Sequence, residues 1–199
     1  MNNRSLWLID AGYLFNARHS IRNGYEFSYL KLRNKLEENA SIWRAYYLNS
    51  TPMPPTDAQN SFHNWLRSAP PTGPQIITKI YSLKTERADK AYCDICGQKV
   101  SLKCPHQDNR WPVHKISNEI QKGVDVGIAT LALTLKDMYD TLILSSGDAD
   151  LIDAVEFLSM QDKRLELVVF KEGVATELQC RADQVHWIND FAEEVASDS

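Results

Sequence analysis

"LILSSGDADLIDAVEFL", residues Leu142–Leu158, joins an apolar run of strand length to a helical pattern through a small turn. The turn and the first helical residues carry three carboxylates, Asp148, Asp150 and Asp153. A buried strand that feeds straight into a helix is the repeating unit of a parallel sheet, because parallel neighbours need a crossover and a helix usually supplies it. The same alternation continues in both directions. Strand patterns are read at Leu6–Asp10, Ile42–Leu48, Gln75–Leu83, Thr141–Ser145, Leu165–Phe170 and Val185–Ile188. Helical patterns are read at Tyr29–Asn39, from an N-cap at Asp57 through Leu66, and at Ser117–Met138, Leu151–Met160 and Ala175–Ala182. Lys84–His114 is read as irregular, and the polar tail EEVASDS as frayed. The expected fold is α/β: a central, mostly parallel sheet with helices on both faces. It forms one domain over residues 1–199, with a small insert at 85–115.

In such open sheets, ligands sit outside the carboxyl ends of the strands. Asp10 ends the first strand pattern, and Asp148 and Asp150 follow the strand LILSS. If both strands are central and parallel, these acids share one edge. Asp125 lies in "QKGVDVGIATLALTL", beside the apolar stripe Val124, Ile128, Leu131 and Leu135. Gly123 and Gly127 flank it and would let that helix approach the sheet closely. Converging carboxylates repel one another, and a divalent cation is the usual relief. Oxygen-only ligands select hard Mg²⁺ or Mn²⁺, which can activate water and stabilise charge on a phosphoryl group. Each acid also has a plainer reading. Asp10, Asp148 and Asp150 suit helix N-caps, and Asp153 suits compensation of a helix dipole.

Composition sets the limits. The chain is 43% hydrophobic, 24% charged and 10% aromatic, enough apolar material for a core. No apolar run reaches the roughly 18 residues that span a bilayer, and MNNRSLWLIDAGYLF reads as a first strand, not a signal peptide. The expected compartment is the cytoplasm, where the four cysteines stay reduced. Net charge is −4, but Lys79–Lys122 holds nine Lys and Arg against five Asp and Glu. A basic segment on an acidic body is compatible with a phosphate-contacting edge, or with a solvated polar loop.

"YCDICGQKVSLKCPHQ" spaces Cys93-x2-Cys96-x7-Cys104-x-His106. CxxC followed by Gly suits a zinc knuckle, and four N/S ligands suit tetrahedral Zn²⁺. His114 is an alternative fourth ligand to His106. A redox CxxC or unliganded thiols are the other readings. Tyr92 and Trp111 are candidates either to stack bases or to cover the knuckle's small core. Cys180 reads as plain core and His63 as surface.

"LWLIDAGYLF", "KGVDVGIATLAL" and "LILSSGDADLIDAVEFL", in this order, resemble NYN domains of the LabA/DUF88 type, within the PIN-like nuclease superfamily. "RADQVHWI" resembles the closing segment of that family. The resemblance implies a PIN-like fold and metal-dependent cleavage of phosphodiesters, usually in RNA. Asp10, Asp125, Asp148 and Asp150 then fall on the catalytic, metal-holding acids. Lys122, Asn16 and Ser146 become candidates for substrate contact. Many members carry Asn where this chain has Tyr13, and a further acid near Thr130, so the acidic set is thinner here. The expected function is therefore a metal-dependent ribonuclease that acts on RNA or another single-stranded nucleic acid. The alternative is a weak or inactive module of the same fold, binding nucleic acid or a protein partner in a regulatory or defence complex. A phosphatase or nucleotidase ranks below both. Self-association is left open.

Overall fold

The computed structural model describes residues 4–38, 40–106, 114–120 and 122–198. Trp111 and Arg110 lie outside the described residues. In chain order the elements begin with β1 (Arg4–Asp10), α1 (Ala11–Ala17), α2 (Tyr29–Glu37), β2 (Ser41–Thr51), α3 (Asp57–Arg67) and β3 (Ile77–Ser82). Four short strands follow: β4 (Lys84–Arg87), β5 (Lys90–Tyr92), β6 (Lys99–Ser101) and β7 (Ser117–Ile120). The chain then forms α4 (Val124–Thr134), β8 (Thr141–Ser145), α5 (Ile152–Ser159), β9 (Arg164–Val169), α6 (Thr176–Arg181), β10 (Gln184–Trp187) and α7 (Ala192–Val195).

Six strands form one sheet in the order β10-β9-β8-β1-β2-β3, and every pairing is parallel. Side chains alternate across it as the pleat requires. Trp7 and Ile9 of β1 join a core with Leu14, Leu32, Tyr47, Leu66 and Val195 on one face. Leu6 and Leu8 join Leu48, Ile128, Leu131 and Val155 on the other. The helices therefore divide into two layers around a doubly covered sheet, the α/β architecture that continuous apolar strands imply. No helix among the described residues is long and apolar enough to cross a membrane.

Strand order positions the site. From β1 the chain moves outward to β2 and β3, whereas β8 starts a second run outward through β9 and β10. The direction of winding reverses between β1 and β8, and the carboxyl ends at such a reversal are where open α/β sheets bind ligands. Asp10 sits one residue past the Ile9–Ser145 pair, beside Ser146.

Several expectations are corrected. Ser117–Met138 is not one helix. Ser117–Ile120 is a strand antiparallel to β4, and α4 begins only after Gly123, whose φ of 93° breaks the helix. The segment read as irregular, Lys84–His114, contains one strand of that ladder, β4, and a β5–β6 hairpin. Helix α3 is capped by Thr56, in a reciprocal box with Gln59, and not by Asp57. The tail is tied down: Val195 is buried, its carbonyl accepts the Ser28 N–H, and Ala196 bridges to Phe27. His63 is buried against Tyr47 and Phe62, whereas Cys180 is exposed.

Candidate functional site

Asp10 leaves β1 on the α4 side of the sheet, because Leu6 and Leu8 point there and the pleat repeats every two residues. Its Oδ1 accepts the Tyr13 N–H at 3.0 Å and so caps α1. Its Oδ2 faces the Ser146 hydroxyl at 3.3 Å. Ser146 is fully buried, and its Oγ also accepts the Asp148 N–H at 3.3 Å. One hydroxyl thus links the acid at the end of β1 to the turn after β8. Asp148 in turn accepts the Asp150 N–H at 2.9 Å and caps the short turn Ala149–Leu151. The capping readings of Asp10 and Asp148 both hold, and each cap uses one carboxylate oxygen.

Asp125 enters from α4, in its first turn. That helix lies close to the sheet because Gly127 offers no side chain: a Cβ there would run into the Tyr81 hydroxyl and come within 2.9 Å of Leu48. The Gly147 backbone is packed as tightly. A Cβ there would strike the Gly173 carbonyl and the Tyr13 ring. The glycines of KGVDVG and SGDAD therefore set how near the acid-bearing segments come to the sheet and to one another.

Electrostatics shows that the acids share a field. Burial pushes the Asp10 carboxyl above its ordinary range, and the Asp125 charge adds to this, while the Tyr13 N–H and the Ser146 hydroxyl oppose it. Burial also raises Asp125, and the charges of Asp148 and then Asp150 push the same way. Every charge acting appreciably on these two acids is negative. Lys122, one turn before Asp125, is ion-paired at 2.7 Å with Glu86 of the β4–β7 stem. Asp153 is exposed on α5. An all-oxygen donor set under mutual repulsion suits a hard divalent cation. Among the described residues, no three His, Cys, Asp or Glu side chains stand close enough to form a ready-made metal cage.

Tyr13, which stands where many relatives carry Asn, has a role that its sequence position does not announce. Its hydroxyl donates to the Phe170 carbonyl at 3.0 Å and accepts the Phe170 N–H at 3.1 Å. It joins α1 to the end of β9. Asn16 is exposed on α1 and lines a cavity of about 930 Å³ beside the acid-bearing end of β1.

In the insert, the Gly97 N–H donates to the Cys93 carbonyl at 2.7 Å, with Gly97 at a φ of 66°. This turn aims the Cys96 N–H, and then that of Ile95, at the Cys93 sulfur, which lowers its pKa. Cys96 also contacts that sulfur through its side chain. His114 Nδ1 stands 3.3 Å from Cys104 Sγ. The insert's three cysteines therefore make two separate contacts, Cys93 with Cys96 and Cys104 with His114, and His106 is exposed. Tyr92 is exposed beside Lys99 and covers no small core among the described residues.

A central six-stranded parallel sheet with helices on both faces is the PIN-like α/β fold. The chain belongs to the NYN domain family, whose model matches residues 6–189. NYN domains are generally nucleases, which makes this chain nuclease-like in type. A crystal structure of a Vibrio parahaemolyticus protein of unknown function is similar in fold, with a TM-score of 0.64 at 17% identity. That likeness covers 98% of this chain and 97% of the other. No curated protein shows significant similarity to the chain.

Proposed function

We propose that the protein is a metal-dependent ribonuclease that hydrolyses phosphodiester bonds in single-stranded RNA. The observation that carries this reading is the chain of like-charge influence at the β1 and β8 strand ends: Asp125 acts on Asp10, and Asp148 and Asp150 act on Asp125. These four residues would hold Mg²⁺ or Mn²⁺. When bound, such an ion lowers the pKa of water and offsets charge on the phosphoryl oxygens. The chain's own part is positional. Ser146 orients Asp10, the Asp150 N–H fixes Asp148, and the Gly127 approach brings Asp125 to the sheet. Hydrolysis adds the oxygen of a water to phosphorus and breaks one P–O ester bond, and the departing oxygen takes a proton. A labelled single-stranded RNA should be cut in Mn²⁺, and the cutting should disappear in EDTA and in Asp148→Asn.

The insert is proposed to be a zinc-pinned unit held by Cys93, Cys96, Cys104 and His114, with His106 as the alternative fourth ligand. The Cys104–His114 contact favours His114. Its exposed Lys99 and Lys103 would guide a phosphate backbone toward the acids. A second reading has its own support. Because Tyr13 serves as a structural clasp and Thr130 is not an acid, the chain would instead be a binding module for nucleic acid or a protein partner.

A further inference from the structure

A cavity of about 930 Å³ lies beside the acid-bearing end of β1. It lies on the sheet face opposite Asp125, between α1, α2 and α3, and Ala11 and Gly12, which follow Asp10, form part of its wall. Its floor is aromatic. Phe62 packs against Tyr29, Tyr47 and Trp65 at centroid separations of 6.1, 5.9 and 5.8 Å, and it stays 36% exposed. On the α1 side stands Phe15, 60% exposed. The Arg18 guanidinium lies 3.7 Å from its centroid. Arg18 is itself buried and held by Glu26 and by the carbonyls of Tyr25 and Phe15. Phe15 is therefore a fixed ring with one face backed by a cation.

Two carboxylates line this cavity, Glu26 and Asp198, and each is ion-paired, with Arg18 and Lys31; hydrogen-bond donors are left along β2 and the start of α3. The Asn49 Oδ1 accepts the Ser50 N–H at 2.9 Å and its Nδ2 donates to the Tyr47 hydroxyl, which leaves one amide hydrogen. The Gln59 Oε1 is taken by the Thr56 N–H, which leaves its NH₂. Thr51 shares the Tyr47 and Asn49 face of β2 by the pleat, and it is 3% exposed. Its Oγ1 has no hydrogen-bond partner among the described residues. A buried hydroxyl without a partner is costly and is relieved by a ligand that supplies one. Flat apolar walls combined with a few fixed donors match a planar heterocycle whose edge carries carbonyl oxygens.

We propose that this cavity binds an unstacked nucleobase of the RNA strand, uracil in the first instance, and anchors the strand beside Asp10. The assignment rests on the nucleic-acid reading above. The base stacks on Phe15 or Phe62, and its carbonyl edge meets Thr51, Asn49 and Gln59. The strand then leaves past Ala11 and Gly12 toward the acids at the strand ends.

The test is binding in EDTA, where no cleavage competes, of pentauridylate and of an abasic ribose-phosphate pentamer to the full chain. The wild type should prefer pentauridylate by roughly 5- to 150-fold, the range of one base–aromatic stack. Phe15→Ala and Phe62→Ala should remove most of that preference. Thr51→Val keeps the shape and deletes only the unpartnered hydroxyl. It should fold at least as well as wild type while losing about 2- to 13-fold in pentauridylate affinity. Equal affinity for the two pentamers, or no binding of either, overturns the proposal. So does a preference that survives both Phe variants. Cleavage measured in parallel separates the two readings. RNA cut in Mn²⁺ without base preference sinks the pocket alone, whereas base preference without cleavage sinks the nuclease alone.

Discussion

The Tyr13 hydroxyl and the Phe170 backbone form a closed exchange: the phenol donates to the carbonyl at 3.0 Å and accepts the N–H at 3.1 Å. One side chain thereby satisfies both polar groups where β9 ends, and its ring also packs against the Gly147–Gly173 contact. Tyr13→Phe leaves both backbone groups without this partner and should cost about 1–3 kcal/mol. In denaturant unfolding, Cm should fall with the m-value unchanged. A Cm equal to wild type would show that the clasp carries no stability.

The close approach of α4 is equally testable. Gly127→Ala forces the added carbon against the Tyr81 hydroxyl and Leu48, an overpacking that costs roughly 1–3 kcal/mol. Because the hydroxyl is the nearest obstacle, the cost should shrink in a Tyr81→Phe background. A double-mutant cycle measures that coupling, and strict additivity would contradict the contact.

Acid repulsion makes a pH-dependent prediction. Burial and like charge raise Asp10 and Asp125, so protonating them favours the fold. That stability is fully present below the pKa values the carboxyls have when unfolded, and it is lost as pH rises through their raised folded values. In EDTA at neutral pH, Asp125→Asn should therefore melt no lower than wild type and should flatten the pH dependence. Mn²⁺ at 100 times its Kd should stabilise wild type by about 2.7 kcal/mol, a Tm gain of roughly 5–10 °C. The same Mn²⁺ should do little for Asp125→Asn. An equal Mn²⁺ gain in both proteins would place the ion elsewhere.

For the insert, zinc content is the readout. The purified chain should carry one zinc. Cys93→Ser and His114→Ala should lose it, and His106→Ala should keep it. Chelation should expose residues 85–115 to protease before the six-stranded sheet unfolds. Zinc kept by His114→Ala and lost by His106→Ala would reverse the choice of fourth ligand.

Much of this arrangement is legible in the chain itself. Apolar runs ending in acids mark β1 and β8, and two glycines around Asp125 announce a helix packed close to a sheet. What escapes pattern reading depends on contacts distant in sequence. Ser117–Ile120 is a strand only because Lys84–Arg87 pairs with it, and without that partner it reads as the start of α4. The tail looks polar, yet Val195 is buried by α2 and its neighbours. Helix α1, a 7-residue element, is too short for a periodic signal and depends on its Asp10 cap. The clasp made by Tyr13 appears only when β9 comes beside it.

Single-turnover cleavage of a labelled single-stranded RNA in Mn²⁺ decides whether the acids at the strand ends carry hydrolysis, with wild type compared against Asp10→Asn, Asp125→Asn and Asp148→Asn. Wild type should cut the RNA and EDTA should abolish the cutting, with a rate at least about 100-fold lower in each variant, on the scale of removing one electrostatic contributor to a transition state. Variants that cut as fast as wild type, or a folded wild type that leaves the RNA intact in Mn²⁺ and Mg²⁺, would contradict that role of the acids.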